Sequence, residues 1–309
     1  MNLRQLQYFL EIAQFQSFTR AAQVLHVAQP SLSRHIRLLE EELGKPLFTR
    51  YDRGVTLTDA GELLRDRASV LIQQFNQLKD DIIGSDEEPR GELSIGMPPS
   101  MREMVTVPLI EAYYRRYPRV TLHIREGISF DLSKMVQDGN LDCAVVVGLV
   151  TTAFTNTEPF LKEQMYLVGP PKEKFSLGKS VSMEYAANKP MILTSRPNSL
   201  RLVVENAFGN ARLPLTLVAD GNSTEMMIEL VARRLAYSIQ AYCATWGALR
   251  KGTLSAAPIK GLWIDWELIY PSHRGLSPAS RTFKQLLFEL TSERIKSKQW
   301  RGATLTGRL

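Results

Sequence analysis

Residues 17–43 read SFTRAAQVLHVAQPSLSRHIRLLEEEL, and this stretch decides the fold of the first part of the chain. Phe18, Ala21, Ala22 and Leu25 recur at spacings of three and four, the apolar stripe of a helix packed on a core. Ser17 stands where a hydroxyl can cap that helix. After a short turn at Val27 and Ala28, Pro30 sits where a helix start tolerates a missing N–H. A second helix then runs to about Leu43 and stops at Gly44, with Leu32, Ile36, Leu39 and Leu43 as its buried stripe. Gln29, Pro30, Ser31, Ser33, Arg34 and Arg37 fall between those positions and face away from the core. Their hydroxyl, amide and guanidinium donors suit base edges and phosphates. The small Ala21 and Ala22 allow the close, steep crossing of a helix-turn-helix. Upstream, Leu3, Leu6, Phe9, Leu10 and Ala13 mark one face of a helix that completes a three-helix core. Periodicity alone describes any small helical subdomain equally well, so the flanking residues must discriminate.

Residues 47–57, LFTRYDRGVTL, read as a two-stranded hairpin with Asp52, Arg53 and Gly54 at its tip. Beside a recognition helix such a hairpin is a wing, which would bring Arg50 and Arg53 near phosphates or the minor groove; in a lone hairpin both would be solvated turn residues. From Thr58 a long helix runs toward Ile83. Along it Leu64, Ala68, Leu71, Phe75, Leu78 and Ile82 follow at steps of four and three, a seam of the heptad kind. Polar neighbours such as Arg65, Arg67 and Lys79 keep the stripe narrow, which favours a partner helix. Packing against the first helix of the same subunit is the other option, and the two can coexist. Residues 84–91, GSDEEPRG, combine Gly, Pro and clustered charge and read as a hinge.

At 309 residues the chain can bury more than one core. Its net charge of +6 does not mark a basic DNA-binding end. Residues 1–58 hold seven Lys/Arg against five Asp/Glu, residues 59–90 four against eight, and residues 91–309 twenty-seven against nineteen. A DNA-binding claim therefore rests on where Arg34, Arg37, Arg50 and Arg53 point. Cys143 and Cys243 lie among apolar neighbours and read as buried small hydrophobes. No signal-peptide run and no apolar stretch of bilayer length occurs, so a cytoplasmic protein without membrane contact is expected. His26, His35, His123 and His273 are scattered, and no metal-ligand spacing, phosphate-cradling glycine loop or ordered triad appears. His35, beside Arg34, reads as a DNA contact or part of a solvated face. An enzyme is not expected, and no metal or cofactor is called for.

AAQVLHVAQPSLSRHIRLLEEELGKPLFTR, followed by LTDAGELL, closely resembles the LysR-type transcriptional regulators. The resemblance covers essentially the whole chain and is most specific in residues 1–65. RGELSIGMPPS, LIEAYYRRYPRVTLHIREGIS and YLVGP are similar to the nitrogen-assimilation-control branch of that family. Ala28 departs from the pattern, because the family more often has a Ser that could cap the recognition helix. The resemblance implies a winged helix-turn-helix DNA-binding domain over 1–58, a dimerising linker helix and hinge over 59–90, and an α/β effector domain over 91–309. It also implies a homodimer or homotetramer acting on double-stranded promoter DNA, with RNA polymerase as a further partner.

Beyond the hinge, strand-like runs at 93–96, 120–124, 143–147, 164–168, 191–194, 215–219 and 235–239 alternate with helical patterns at 102–117, 132–138, 200–208 and 224–233. That alternation predicts α/β layers on a parallel sheet, as one large unit or two smaller ones. The resemblance implies two subdomains as in periplasmic binding proteins, the first about 91–162 and 268–300, the second about 163–267. Crossovers would fall near 158–163 and 266–271, and a last helix over 278–295 would return to the first subdomain.

In such a fold ligands bind at strand carboxyl ends against helix N-termini, which favours a small organic anion as effector. This singles out Ser100 and Met101, Ser129, Gly148, and Arg196 with its neighbours Ser195 and Asn198. Ser100 and Ser129 match positions where the family commonly places hydroxyl ligands, and Arg196 could pair with a carboxylate. A plain N-cap describes each serine equally well, and a solvated loop position describes Arg196. Arg234, Leu235 and Ala236, later followed by Ala241, stand where the family often has Gly-Leu-Gly and a proline, so the pocket would be altered, smaller or unused. A regulator that follows its own abundance is then an option. The competing class is a solute-binding α/β protein or enzyme with an N-terminal oligomerisation module, but it lacks an export signal and a catalytic set.

Overall fold

Three helices and a hairpin form the core of the first unit in the computed structural model, which describes residues 1–51, 54–83, 88–148, 155–272 and 275–307. The chain divides into two units, Met1–Ile83 with Asp138–Asn140, and Gly84–Gln137 with Leu141–Leu309. Unit one runs α1 (Leu3–Phe15), α2 (Phe18–Val24), α3 (Gln29–Leu43), β1 (Phe48–Tyr51), β2 (Gly54–Leu57) and α4 (Asp59–Ile83). Its helix starts are set locally. Asn2 and Gln5 make a reciprocal capping box on α1, and the Ser17 hydroxyl accepts the Arg20 N–H at 3.3 Å. Phe9, Ile12, Ala21, Leu32, Ile36 and Leu39 fill the core.

Three details differ from the sequence expectation. The buried arc of α1 is centred on Leu6, Tyr8, Phe9 and Ile12, with Leu3, Leu10 and Ala13 only partly covered. Leu43 is 40% exposed, because Gly44 takes a left-handed conformation at the next residue and turns the chain away. The break between α2 and α3 spans residues 25–28 rather than two residues, and His26 reverses it at φ +53°. The hairpin pairs Phe48 with Leu57 and Tyr51 with Gly54, while Asp52 and Arg53 lie outside the described residues. Gly61 lets α4 begin under the Leu47 carbonyl; a Cβ there would fall 2.2 Å from that oxygen.

Unit two opens with β3 (Gly91–Met97), a wide turn over Arg102–Thr106, α5 (Val107–Arg116), β4 (Val120–Glu126), α6 (Ser129–Gln137) and β5 (Cys143–Val147). The helix expected from residue 102 starts late. Pro108 cannot donate to residue 104, so it sits at an α-helix start where its missing N–H does no harm. Next come β6 (Thr155–Gly169), α7 (Met183–Ala187), β7 (Met191–Thr194), α8 (Ser199–Asn210), β8 (Leu217–Gly221), α9 (Thr224–Ala232), β9 (Ser238–Ala241) and α10 (Tyr242–Arg250). The chain then follows β10 (Ser255–Pro271), α11 (Pro278–Lys296) and β11 (Ala303–Leu305).

The sheet is mixed, which corrects the parallel expectation. Among the described residues seven strands join in the order β11-β6-β10-β5-β3-β4, with β9 also beside β6. β3 runs parallel to β4 and β5, and β7 parallel to β8, but β10 is antiparallel to both β5 and β6. The segments expected as crossovers near 158–163 and 266–271 are stretches of β6 and β10 themselves. One carries the chain out and the other brings it back, so they pair in opposite directions. α11 returns onto α5, where the buried Tyr113 hydroxyl donates to the Ala279 carbonyl at 2.9 Å.

After α9 the chain closes a Schellman turn, with Arg234 N–H on the Val231 carbonyl and Leu235 N–H on the Leu230 carbonyl. Arg234 holds φ +69° there, a conformation that suits glycine. Arg234→Gly should therefore stabilise unit two by about 0.5–1 kcal/mol, read as a higher urea midpoint at unchanged slope.

Candidate functional site

The recognition helix α3 presents Gln29, Pro30, Ser31, Arg34 and Arg37 to solvent, with Ser33 half-buried. Gln29 Nε2 donates to Ser33 Oγ at 2.9 Å, which orders the two side chains on one face. Arg37 pairs with Glu41 at 3.4 Å, whereas Arg34 has no ion-pair partner among the described residues. Ala28 offers no side-chain cap, so the first amides of α3 stay open to an anion. His35 is half-buried and packs edge-on against Tyr8, with ring centroids 5.3 Å apart.

The sequence reading missed Glu40. Its carboxylate accepts the Leu47 N–H at 2.8 Å and the Phe48 N–H at 3.3 Å, which ties the start of the hairpin to α3. The Arg50 backbone lies in β1 opposite Val55, while the Arg50 side chain and all of Arg53 fall outside the described residues.

The heptad seam of α4 divides in two. Leu64 packs against the helical core and Ala68 is fully buried. Leu71, Phe75 and Leu78 are 47%, 40% and 57% exposed, and the Ile82 side chain lies outside the described residues. Among the described side chains of α4, it is Ala60 and Leu64 in its first turns that pack against the helix-turn-helix core.

In unit two the N-terminal ends of α6, α8 and α9 converge on a cleft, which Ser129, Asn198 and Thr224 reach from those three ends. Pro98, Pro99 and Ser100 form a facing wall, and Trp266 and Gln240 also line it. About 50 Å³ lies within reach of water-molecule centres, room for a few ordered waters. No Lys, Arg or His is among the described lining residues. Ser129 is buried, and its hydroxyl accepts the Val147 N–H at 2.9 Å, fixing α6 to the end of β5. Arg102, next to the wall, bonds both Glu126 of β4 and Glu225 of α9, so one guanidinium spans elements from both sides.

Ser100 and Ser129 are thus brought together, and three other expected residues are not. Met101 is fully buried in the core, because the tight turn over Pro99–Met101 sends it inward. Gly148 donates its N–H to the Asp265 carbonyl at 2.9 Å, and its Cα faces Glu267 rather than the cleft. Arg196 is exposed and turned back onto Glu205 of α8, 2.8 Å away. Burial opposes ionisation of Glu205, but hydrogen bonds from Arg196 and Arg201 hold its carboxyl below the usual range. Thr194, Asn222, Gln240 and Trp266 were not foreseen. Residues 222–224, Asn-Ser-Thr ahead of a helical pattern, carried a readable signal, whereas Trp266 did not, since strand pairing sets its face.

A winged helix-turn-helix followed by a long helix, in a chain that also carries a two-lobed α/β cleft domain, defines the architecture of a DNA-binding transcriptional regulator. Residues 3–62 match the description "Bacterial regulatory helix-turn-helix protein, lysR family", and residues 86–292 match "LysR substrate binding domain". The chain belongs to the LysR family of transcriptional regulators. It is 30% identical to the nitrogen assimilation regulatory protein nac of Escherichia coli, across 97% of this chain and 99% of that protein. The nac protein of Klebsiella aerogenes is 29% identical across 94% of this chain and 96% of that protein. Among solved structures, full-length OxyR from Pseudomonas aeruginosa superposes with a TM-score of 0.73 at 23% identity, covering 100% of this chain and 99% of that one. CbnR, solved in complex with its target DNA, superposes with a TM-score of 0.68 at 20% identity over 94% of this chain and 100% of that one. The named relatives are regulators, not enzymes. Among the described residues no cluster of His, Cys, Asp and Glu could hold a metal, and no helix is long and apolar enough to cross a membrane.

Ser129→Ala removes the acceptor of the buried Val147 N–H. It should destabilise unit two by about 1–3 kcal/mol, measured as a lower urea midpoint; an unchanged midpoint would show that the bond contributes nothing.

Proposed function

We propose that the chain reads a pseudo-palindromic promoter site as a homodimer or homotetramer and adjusts transcription when a small organic anion occupies the cleft. The exposed polar face of α3 carries the reading: Gln29, Ser31, Ser33, Arg34 and Arg37 are the base- and phosphate-directed groups, with Pro30 shaping the helix start. Arg50 and Arg53 are assigned to phosphates or the minor groove beside the wing. Leu71, Phe75 and Leu78 offer the partner helix an apolar strip that the heptad spacing extends to Ile82, while Leu64 and Ala68, at the start of the same seam, are used within the chain. The working boundaries are 1–58 for DNA binding, 59–90 for the linker and hinge, and 91–309 for the effector domain. Within the effector domain, the subdomains take about 91–162 with 268–300, and 163–267. RNA polymerase is the downstream partner, and the cytoplasm is the compartment where such a regulator meets promoter DNA.

Ser100 and Ser129, together with the amides opening α6, α8 and α9, support an anion in the cleft. With no cation among the described lining residues, the ligand is a compact monoanion rather than a large polyanion. The small free volume also favours a second reading, in which activity follows the abundance of the protein; a cleft that binds none of a panel of small carboxylates would select it.

A site chosen from a random duplex pool tests the DNA assignment. Arg34→Ala should weaken binding to the selected site by about tenfold or more and leave random duplex nearly unchanged. Equal losses on both would refute a base-reading role. Leu71→Asp should shift the sedimenting species toward monomer, and a fully dimeric variant would place the interface elsewhere.

A further inference from the structure

Beneath the cleft lies a carboxyl group that none of these roles uses. Glu163, within β6, is fully buried and has no ion-pair partner among the described residues. Its Oε1 accepts the Cys243 backbone N–H at 2.9 Å and the Trp300 indole N–H at 2.7 Å. Its Oε2 accepts the Trp266 indole N–H at 2.8 Å and the Cys243 thiol at 3.5 Å. The donors come from three separate elements: the start of α10, the turn after α11, and β10. Strand register places Glu163 between Ile264 of β10 and Ala303 of β11.

One of these donors reaches the cleft: Trp266 lines it directly, while Cys243 opens α10, which packs against the turn that carries Ser100. Burial pushes the Glu163 carboxyl up against the pull of its N–H donors. Burial and then the nearby carboxyl push the Cys243 thiol well up, so it remains a protonated donor. Every neighbour thus presents a hydrogen to Glu163. An amide in its place can satisfy only one side.

We propose that Glu163 is the positioning residue of the cleft, fixing Trp266 directly and the start of α10 through Cys243, and that it couples cleft shape to the seat of Trp300 after α11. The importance of that shape rests on the cleft being the effector site, but the coupling itself does not. In Glu163→Gln the carbonyl can keep the Cys243 amide and Trp300, which turns the new NH2 toward the Trp266 N–H and leaves that indole without an acceptor.

Double-mutant cycles in the full-length protein test this. Trp266→Phe should offset much of the urea-midpoint loss of Glu163→Gln, because it removes the stranded donor, whereas Trp300→Phe should simply add to it. The emission of Trp266, obtained by difference from Trp266→Phe, should also shift in Glu163→Gln. With pyruvate as the probe, Glu163→Gln should weaken binding by about tenfold or more. Additive behaviour with Trp266→Phe, or an unshifted Trp266 emission, would overturn the proposal. If pyruvate does not bind the wild-type protein, the cleft reading loses support and the cycle still decides the coupling. Should Glu163→Gln not fold, Cys243 alkylation in a Cys143→Ser background takes its place. Trp266→Phe with Glu163 intact should then raise the alkylation rate about tenfold, and an unchanged rate would equally overturn the coupling.

Discussion

The antiparallel ladder between β6 and β10 is the constraint on which the second unit depends. Two long strands pair from Ser255 with Gly169 to Pro271 with Thr155, interrupted by irregularities between Pro258 and Trp263 and between Trp266 and Glu267. Trp266 of this ribbon lines the cleft itself, and β5, whose Val147 also lines it, is paired to β10. β5 adds to β10 on one side, and β9 and β11 to β6 on the other. A two-stranded connection resists shear along its hydrogen bonds and yields more readily to twist. Each irregularity has a proline beside it, Pro258 of β10 and Pro159 of β6, and neither can donate to the ladder.

The helices that open onto the cleft follow from this placement. α6 begins after β4, α8 after β7 and α9 after β8, so three strand carboxyl ends lead into three helix N-termini. Such ends concentrate unsatisfied N–H groups, and each side chain nearby is divided between capping and binding. Asn198 spends its carbonyl on the Leu200 and Arg201 amides, and Ser129 spends its hydroxyl oxygen on Val147. The contest between N-cap and ligand thus has a mixed outcome. Both residues serve the fold, and Ser129 still has a hydroxyl proton to offer.

What was legible in the sequence was whatever is decided within a turn or two of chain. The Ser17 cap, the Pro30 start, the Gly44 stop and the hairpin over residues 48–57 all follow from neighbouring residues, although Gly54, expected at the tip, pairs with Tyr51. The heptad seam was legible as a pattern, but its division at Ala68 was not, because that depends on how far α1 reaches along α4. Ser100 and Ser129 do line the cleft and Arg196 does not: nothing local says that Arg196 prefers Glu205, nine residues on, to the cleft. Glu163 is the extreme case. Its partners lie 80, 103 and 137 residues away, and in sequence it is one more charged residue in an alternating strand.

The distribution of charge carries the same lesson into function. Residues 1–58 have an excess of only two cations, and α3 itself ends in three consecutive glutamates, so unit one cannot rely on a broad positive field to hold DNA. Of those glutamates, Glu40 is used to seat the hairpin and Glu41 to hold Arg37, which leaves Arg34 as the guanidinium on that face without an ion-pair partner among the described residues. Binding then depends on aim more than on attraction, and aim is what the second copy of the proposed dimer would supply. A single weakly cationic helix discriminates poorly against bulk DNA, whereas two helices held at a fixed separation must both meet their half-sites at once. In the proposed dimer the exposed Leu71, Phe75 and Leu78 strip would set that separation, so the apolar face of α4 and the near-neutral face of α3 would be two halves of one requirement.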